Sequence, residues 1–192
     1  MATYIVKANT LANGLSLGKT SPRKFARDKN GNLFAVYHRS DGTRNQIYIS
    51  KSINNGVDWT EHKVTDDAEA HESPSVAIDS NDYIYIVCIA IDGYGGQDIW
   101  QIVKSTNGGE SWGSPTDVNP TDRPHQYPVI AIDSNDYIHL ACNRFYVAVP
   151  SFYGIIYTKS IDGGSNWDAN TDIAETATYN QEELAIAIDS ND

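Results

Sequence analysis

The sequence predicts an all-β protein built from tandem units of about 50 residues, because two motifs recur with a common period. The alanine that opens the first motif recurs at spacings of 51, 54 and 56 residues, at Ala26, Ala77, Ala131 and Ala187. The second motif runs from a serine to a tryptophan and occupies residues 52–59, 105–112 and 160–167. No stretch of useful length has helical periodicity, so strands and turns alone are predicted.

Four short strands can be assigned in each unit, and we label them A to D in chain order. Strand A is an apolar run such as "PSVAI" or "PVIAI", which predicts a strand buried on both faces. The turn that follows, "DKNGN" or "DSNDY", is rich in residues that tolerate left-handed backbone conformations. Strand B ("YIYIVCIAI" or "YIHLACNRF") leads through a variable loop to strand C ("QIYISKS" or "IWQIVKS"). Strand D begins at the tryptophan of the second motif, which is Trp59, Trp112 or Trp167.

Units of this kind suit a β-propeller, whose blades are four-stranded antiparallel sheets around a central channel. The sequence predicts a single array over 1–192, with about three blades plus the first strand of a fourth, which is an incomplete propeller. The predicted bounds are 21–66, 72–119, 125–174 and 181–192. An open arc would expose the apolar flanks of its end blades. We therefore expect a fragment of a longer propeller, a homodimer that closes a six-bladed ring, or an array capped by another protein.

Composition excludes some classes of function. The net charge of −11 argues against a nucleic-acid partner, because affinity for nucleic acid comes from neutralising phosphates with Lys and Arg. No run of eighteen apolar residues exists, so no membrane insertion is predicted. The first residues lack a charged segment followed by an apolar one, so no signal peptide is predicted, and an extracellular or virion-associated location would need another route.

No cofactor and no metal site is predicted, and the residues that could suggest one are the two cysteines and the aspartates of the turns. Cys88 and Cys142 occupy the same position in successive units, within apolar strands, and are predicted to be small buried apolar residues rather than a disulfide or a metal pair. The aspartates of the A–B turns lack the full oxygen-ligand spacing of a calcium loop, so turn capping is the expected role.

The serine-to-tryptophan motif predicts a tight hairpin between strands C and D. Its glycine can adopt positive φ, its serine and its Asn or Asp can bond to the turn backbone, and its tryptophan can cover the turn. The motif resembles the Asp-box, or BNR repeat, of sialidases and other propellers, whose pattern is S-x-D-x-G-x-x-W. In that family the box lies at the outer hairpin, so the resemblance implies a structural role. The residues concerned are Ser52, Asn54, Gly56 and Trp59; Ser105, Asn107, Gly109 and Trp112; and Ser160, Asp162, Gly164 and Trp167.

Candidate ligand-binding residues lie at the ends of the strands that face one mouth of the channel. His71 and His125 each precede the repeat alanine by six residues, and Arg39 and Arg144 each follow it by thirteen. The loop over 143–154 adds the aromatic residues Tyr146 and Tyr153. Arginines and aromatics around a concavity suit sugars, and anionic sugars above all, through forked hydrogen bonds and ring stacking. The alternative is that tandem duplication copied these residues for local hydrogen bonds.

The first unit also resembles the opening of a sialidase, in the stretch "PRKFARDKNGNLFAVYHRSDGTRNQIYISKS". The resemblance implies Arg23 and Arg39 as substrate-binding arginines and Asp41 as the candidate acid or base. The family's Arg-Ile-Pro reads Arg-Lys-Phe here, and the nucleophile pair would belong to later blades. A second enzymatic resemblance, to propeller polysaccharide lyases, rests on His125 and His139.

The favoured interpretation is a non-catalytic Asp-box propeller module that binds glycans or serves as a scaffold at a cell or virion surface. The alternative is a fragment of a sialidase-like glycoside hydrolase, or of a propeller polysaccharide lyase, acting on anionic glycans. An enzyme needs titratable groups that converge at one mouth, whereas a binding module needs only stacking and hydrogen bonds.

Overall fold

The computed structural model describes residues 24–91, 99–119, 125–146, 152–176 and 184–188. The regular secondary structure of these residues consists of strands, and none of them belongs to a helix that could span a membrane. The strands are β1 (Phe25–Arg27), β2 (Leu33–Ser40), β3 (Asn45–Ser52), β4 (Thr60–Lys63), β5 (Ala70–Ile78), β6 (Ile84–Ile91), β7 (Ile99–Ser105), β8 (Thr116–Asp117), β9 (His125–Ile132), β10 (Ile138–Tyr146), β11 (Phe152–Ser160) and β12 (Thr171–Thr176).

Three antiparallel four-stranded sheets confirm the predicted blades. Blade 1 is β1–β4, blade 2 is β5–β8 and blade 3 is β9–β12, and in each the strands are paired in chain order. The sheets do not close into a ring, as expected of an incomplete propeller. The described residues 184–188, in the segment predicted to start a fourth blade, form no strand.

The sequence analysis predicts that each outer strand begins at its tryptophan, but in blades 2 and 3 the outer strand begins later. Thr116 and Thr171 open these strands, four residues after Trp112 and Trp167. In blade 2 the hydrogen bond from the Gly113 N–H to the Lys104 carbonyl (2.9 Å) continues the hairpin, but Pro115 has no N–H to donate to the ladder.

The core fills the two spaces between neighbouring blades, and β6 contributes to both. Ile84, Ile86 and Cys88 pack in the cluster shared with blade 1, whereas the alternate residues Tyr85 and Val87 pack in the cluster shared with blade 3. This double burial explains why the strand is apolar on both faces rather than alternating. Cys88 and Cys142 are fully buried, as predicted.

The predicted turn chemistry of the A–B turns is present. In blade 2 the Asp79 Oδ1 atom accepts hydrogen bonds from the N–H groups of Asn81 (2.8 Å) and Tyr83 (2.9 Å). Asp133 caps the corresponding turn of blade 3 in the same way. These carboxylates satisfy backbone donors that the turn leaves without partners.

The same turns also join one blade to the next. Asp136, at the end of the blade 3 turn, accepts from the Ser80 N–H (2.8 Å) and the Ser80 hydroxyl (2.6 Å) in blade 2. Asp82 accepts from the Lys29 N–H of blade 1 (3.1 Å) in the equivalent place. The last residue of "DSND" is therefore an inter-blade contact.

The serine-to-tryptophan turns have the geometry that the sequence predicts. In each copy the serine hydroxyl accepts from the glycine N–H at 2.8 to 2.9 Å, and φ of that glycine is between 83° and 89°. The side-chain oxygen of the third residue accepts from a backbone N–H four residues later, at 2.8 to 3.0 Å. These turns lie at the outer hairpins, between β3 and β4, β7 and β8, and β11 and β12.

Candidate functional site

The candidate site lies where the inner strands β5 and β9 begin. Antiparallel pairing places these strand starts at the same end as the ends of β6 and β10, because Ala70 pairs with Ile91 and His125 with Arg144. This is the end of the blades at which the sequence predicts ligand-binding residues. The A–B turns that join the blades lie at the opposite end.

A β-bulge interrupts both inner strands close to their starts. The pairing of β5 with β6 slips between Glu72 and Ser75, and the pairing of β9 with β10 slips after Gln126. Ser73 (φ 51°) and Tyr127 (φ 52°) occupy the bulges in the left-handed region. A non-glycine residue held in that region costs about 1–3 kcal/mol, and such strain concentrates at functional sites. Both residues precede a proline, and a proline within an apolar strand is a sequence signal of such a bulge.

A cleft of about 110 Å³ opens between the two bulges, at the junction of blades 2 and 3. It is smaller than the roughly 300 Å³ of an enclosing ligand pocket, so it suits one edge of a ligand rather than a whole molecule. Its walls combine polar side chains of the inner strands with two isoleucines of β6. The lining residues are Glu72, Ser73, Ile89, Ile91, Gln126 and Tyr127.

Polar groups in this cleft have unused hydrogen-bonding capacity. Glu72 Oε1 accepts from Asn45 Nδ2 (2.6 Å), and among the described residues Oε2 has no donor. Ser73 is only 9% exposed, and its hydroxyl bonds to none of the described residues. The Gln126 amide and the Tyr127 hydroxyl are likewise without a partner in the described part of the chain. Buried or half-buried polar groups usually have partners, so this set is arranged for a ligand or for water.

His71, a predicted ligand-binding residue, lies behind the cleft. Its side chain is fully buried, with Nε2 2.8 Å from Asp67 Oδ1 and Nδ1 3.8 Å from Cys88 Sγ. A ring held on both nitrogens and shielded from solvent cannot contact a ligand without rearrangement. Its position favours the local-hydrogen-bond interpretation.

Arg39 and Arg144 each pair with a carboxylate on the outermost strand of their own blade. Arg39 Nη2 lies 2.7 Å from Glu61 Oε1, and its guanidinium carbon is 4.2 Å from the centre of the Tyr48 ring. Arg144 Nη1 is 3.7 Å from Asp172 Oδ1. Neither arginine lines the cleft.

Asp41 lies in the hairpin between β2 and β3 and serves the turn. Its Oδ1 accepts from the N–H groups of Thr43 (2.9 Å) and Arg44 (3.1 Å), and Lys63 Nζ is 3.1 Å from Oδ2. These backbone hydrogen bonds and the lysine lower the pKa of Asp41 to about 2. A carboxyl group with this pKa is ionised at neutral pH and is not suited to donate a proton.

The other predicted ligand residues lie outside the described side chains. Arg23 is not among the described residues. His125 begins β9, whereas Tyr146 and Tyr153 belong to β10 and β11 rather than to the predicted loop, and the side chains of these three residues are not described.

His139, the second histidine of the resemblance to lyases, lies near the A–B turn of blade 3, with Nε2 3.1 Å from Asp133 Oδ2 and Nδ1 2.7 Å from the Tyr157 hydroxyl. It is thus at the opposite end of blade 3 from His125.

Sequence reasoning missed a pair of basic residues between blades 1 and 2. Lys24 is the repeat equivalent of Ser75 and Val129, and its ammonium group donates to the Pro74 carbonyl. Burial lowers the pKa of Lys24 to about 8, and burial also lowers the pKa of His38.

No group of three His, Cys, Asp or Glu side chains within the described ranges could hold a metal ion.

Comparison with known proteins finds similarity in structure only. No family model matches the chain, and no curated protein matches it in sequence. An ulvan lyase of polysaccharide lyase family PL25 has a TM-score of 0.57 at 17% identity, with 83% of this chain and 40% of the lyase covered. Zg3597, a family 117 glycoside hydrolase of Zobellia galactanivorans, has a TM-score of 0.55 at 12% identity, with coverage of 74% and 52%.

A sialidase of Trypanosoma rangeli, solved with the inhibitor DANA, has a TM-score of 0.53 at 14% identity, with 82% of this chain and 35% of the sialidase covered. The chain therefore spans between 35% and 52% of the length of these three structures. Identities this low carry the fold alone, and the fold that they share with this chain is the β-propeller.

Proposed function

We propose that this chain is a non-catalytic β-propeller module that binds carbohydrate at the cleft between blades 2 and 3. The observation that carries the proposal is the set of polar groups around the two bulges that have no partner among the described residues. Sugars present many hydroxyl groups, each a donor and an acceptor, and these match a mixed set of carboxylate, hydroxyl and amide groups. Ile89 and Ile91 offer the apolar surface against which the C–H face of a ring can pack.

The geometry of the titratable groups favours binding over catalysis. A glycosidase of the common kind needs two carboxyl groups on either side of the scissile bond. Glu72 is the carboxylate that lines the cleft, whereas Asp41 lies in a turn of blade 1 that does not. The paired Arg39 and Arg144 give no free clamp for a substrate carboxylate.

Two further features support a carbohydrate role without deciding it. The serine-to-tryptophan turns have hydrogen bonds suited to Asp-boxes, and we propose that they are such boxes. The named structural neighbours are a sialidase, a glycoside hydrolase and a polysaccharide lyase, all propellers that act on glycans. Propellers host many functions, so the cleft must be tested directly.

A glycan array probed with labelled protein, followed by calorimetry on the hits, tests the proposal. Tyr127→Ala should weaken binding to any hit by about tenfold or more, because a stacking and hydrogen-bonding side chain is lost. Tyr137→Ala, a change to a tyrosine of blade 3 at its A–B turn, is the matched control and should leave binding unchanged. Retained binding in Tyr127→Ala, or no binding to any glycan by the wild-type chain, would contradict the proposal. Release of product from a sialoside or a polysaccharide would support the enzymatic alternative.

A further inference from the structure

The charge of the described residues that line the cleft bears on the charge of its ligand. Of these six residues Glu72 alone carries a formal charge, and its Oε2 atom has no donor within the described part of the chain. The acids of the β4–β5 connection are engaged with other groups: Asp66 pairs with Lys63, and Asp67 Oδ1 lies 2.8 Å from His71 Nε2. A cleft whose charged lining group is a carboxylate repels an anion and attracts a cation.

Among the described residues, the cations at this end of the blades do not line the cleft. Arg39 and Arg144 pair with carboxylates of outer strands, and neither lines the cleft. Lys24 Nζ donates to the Pro74 carbonyl in the bulge of β5, and Lys24 does not line the cleft either. The sequence pattern favoured anionic glycans, and this arrangement argues against them.

The polar contacts on offer also indicate where a ligand cation would lie. Glu72 Oε2 can accept from an ammonium group, and the mostly buried Ser73 hydroxyl beside it can accept a second hydrogen bond. Gln126 and Tyr127 on the facing strand can bond to ring hydroxyls. The strained bulges hold these four residues around one opening, which is a built site rather than a surface cluster of acids.

We propose that the cleft selects sugars that carry a free amine, with the ligand ammonium group bound at Glu72 and Ser73. This inference rests on the proposed carbohydrate-binding function and adds its ligand class. A charge-assisted hydrogen bond is about twice as strong as a neutral one, so the preference should amount to about tenfold in affinity.

Calorimetry with three tetrasaccharides tests the inference: glucosamine tetramer, N-acetylglucosamine tetramer and a uronic-acid tetramer. At mildly acidic pH, where the free amines are protonated, the wild-type protein should bind the first about tenfold more tightly than the second and the third not measurably. Glu72→Gln should make the first two equal. Glu110→Gln, a charge change at an exposed glutamate of a blade 2 turn, is the control and should preserve the preference.

The outcomes separate the ligand class from the function on which it rests. Equal binding of the two hexosamine tetramers by the wild-type protein, tighter binding of the uronic-acid tetramer, or a preference that survives Glu72→Gln would overturn the amine inference alone. Absence of binding to all three, together with an empty glycan array, would overturn the proposed function as well. If Glu110→Gln reduces the preference as much as Glu72→Gln does, the net charge of the protein and not the cleft causes the preference. That result would overturn the amine inference.

Discussion

Replacement of Lys24 by methionine should stabilise the fold near neutral pH. The repeat equivalent of Lys24 in blade 3 is Val129, which is fully buried, so an apolar side chain suits this place in the blade. Burial lowers the pKa of Lys24 from its ordinary value of 10.5 to about 8. That difference corresponds to a cost of about 3 kcal/mol for keeping the side chain charged in the folded protein. The hydrogen bond to the Pro74 carbonyl, worth about 1 kcal/mol, is lost in the variant. The net gain should be about 2 kcal/mol.

The pH dependence of this gain has a defined sign. Below pH 8 the lysine is protonated in both the folded and the unfolded chain, so the full cost is present. Between pH 8 and pH 10.5 the unfolded chain retains a proton that the folded protein has released, so the stability of the wild-type protein rises relative to the variant. The advantage of Lys24→Met should therefore shrink through this range.

Urea unfolding at intervals from neutral to alkaline pH measures the effect, with each variant compared with the wild type at the same pH. Groups that titrate in both proteins cancel in this difference. Lys29→Met, a change at a lysine whose side chain is 63% exposed, is the control and should alter stability by less than about 0.5 kcal/mol. A difference for Lys24→Met that is independent of pH, or a variant less stable than the wild type at neutral pH, would refute the argument.

Two further predictions concern the turns. Asp136→Ala removes the acceptor of the Ser80 N–H and hydroxyl, and the free energy of unfolding should fall by about 1–2 kcal/mol, whereas Asp136→Asn keeps an acceptor and should recover part of it. If both variants unfold at the same urea concentration as the wild type, the contact does not join the blades. Gly109→Ala should cost about 1–2 kcal/mol because φ there is 85°, although the added Cβ would lie an ordinary 3.5 Å from the nearest atom. Gly113→Ala, at a glycine without positive φ, should change stability by less than about 0.5 kcal/mol, and equal losses would contradict the conformational explanation.

The blades and their turns could be predicted because they depend on local chemistry. A glycine that needs positive φ and an aspartate that caps a turn act within five residues, and tandem repetition marks them again in the next blade. The serine-to-tryptophan turns and the burial of Cys88 and Cys142 followed from such signals. The outer strands were less predictable, because the tryptophan marks the hairpin and not the residue at which the ladder of β8 or β12 begins.

The site could not be predicted from the same signals, because it depends on which face of a strand a residue occupies. Arg39 alternates with the buried residues Val36 and His38 in the β2 pattern, so it faces away from blade 2. Its equivalence to Arg144 suggested a shared ligand site, but both meet carboxylates of their own blades instead. The bulges shift the faces again, and a proline within an apolar strand at Pro74 and Pro128 was the signal that could have indicated them.

The two ends of each blade have different roles: the repeated "DSND" turns join neighbouring blades, and the bulged strand starts form the candidate site. At one end Asp82 and Asp136 each hold the turn of the preceding blade, so the repeated residues are fixed by a contact between blades. Gly31 stands at the equivalent position of blade 1 and has no carboxylate to offer, which makes the contact directional along the array. Blades 1 and 2 also touch at the opposite end, where Asn45 Nδ2 donates to Glu72 Oε1, but the loops of that end differ in length and sequence from blade to blade. The strained bulges, and polar groups without a partner in the described part of the chain, are tolerated there because the turns at the other end fix how the blades pack. A ligand site at that end can therefore change its chemistry without loss of the fold.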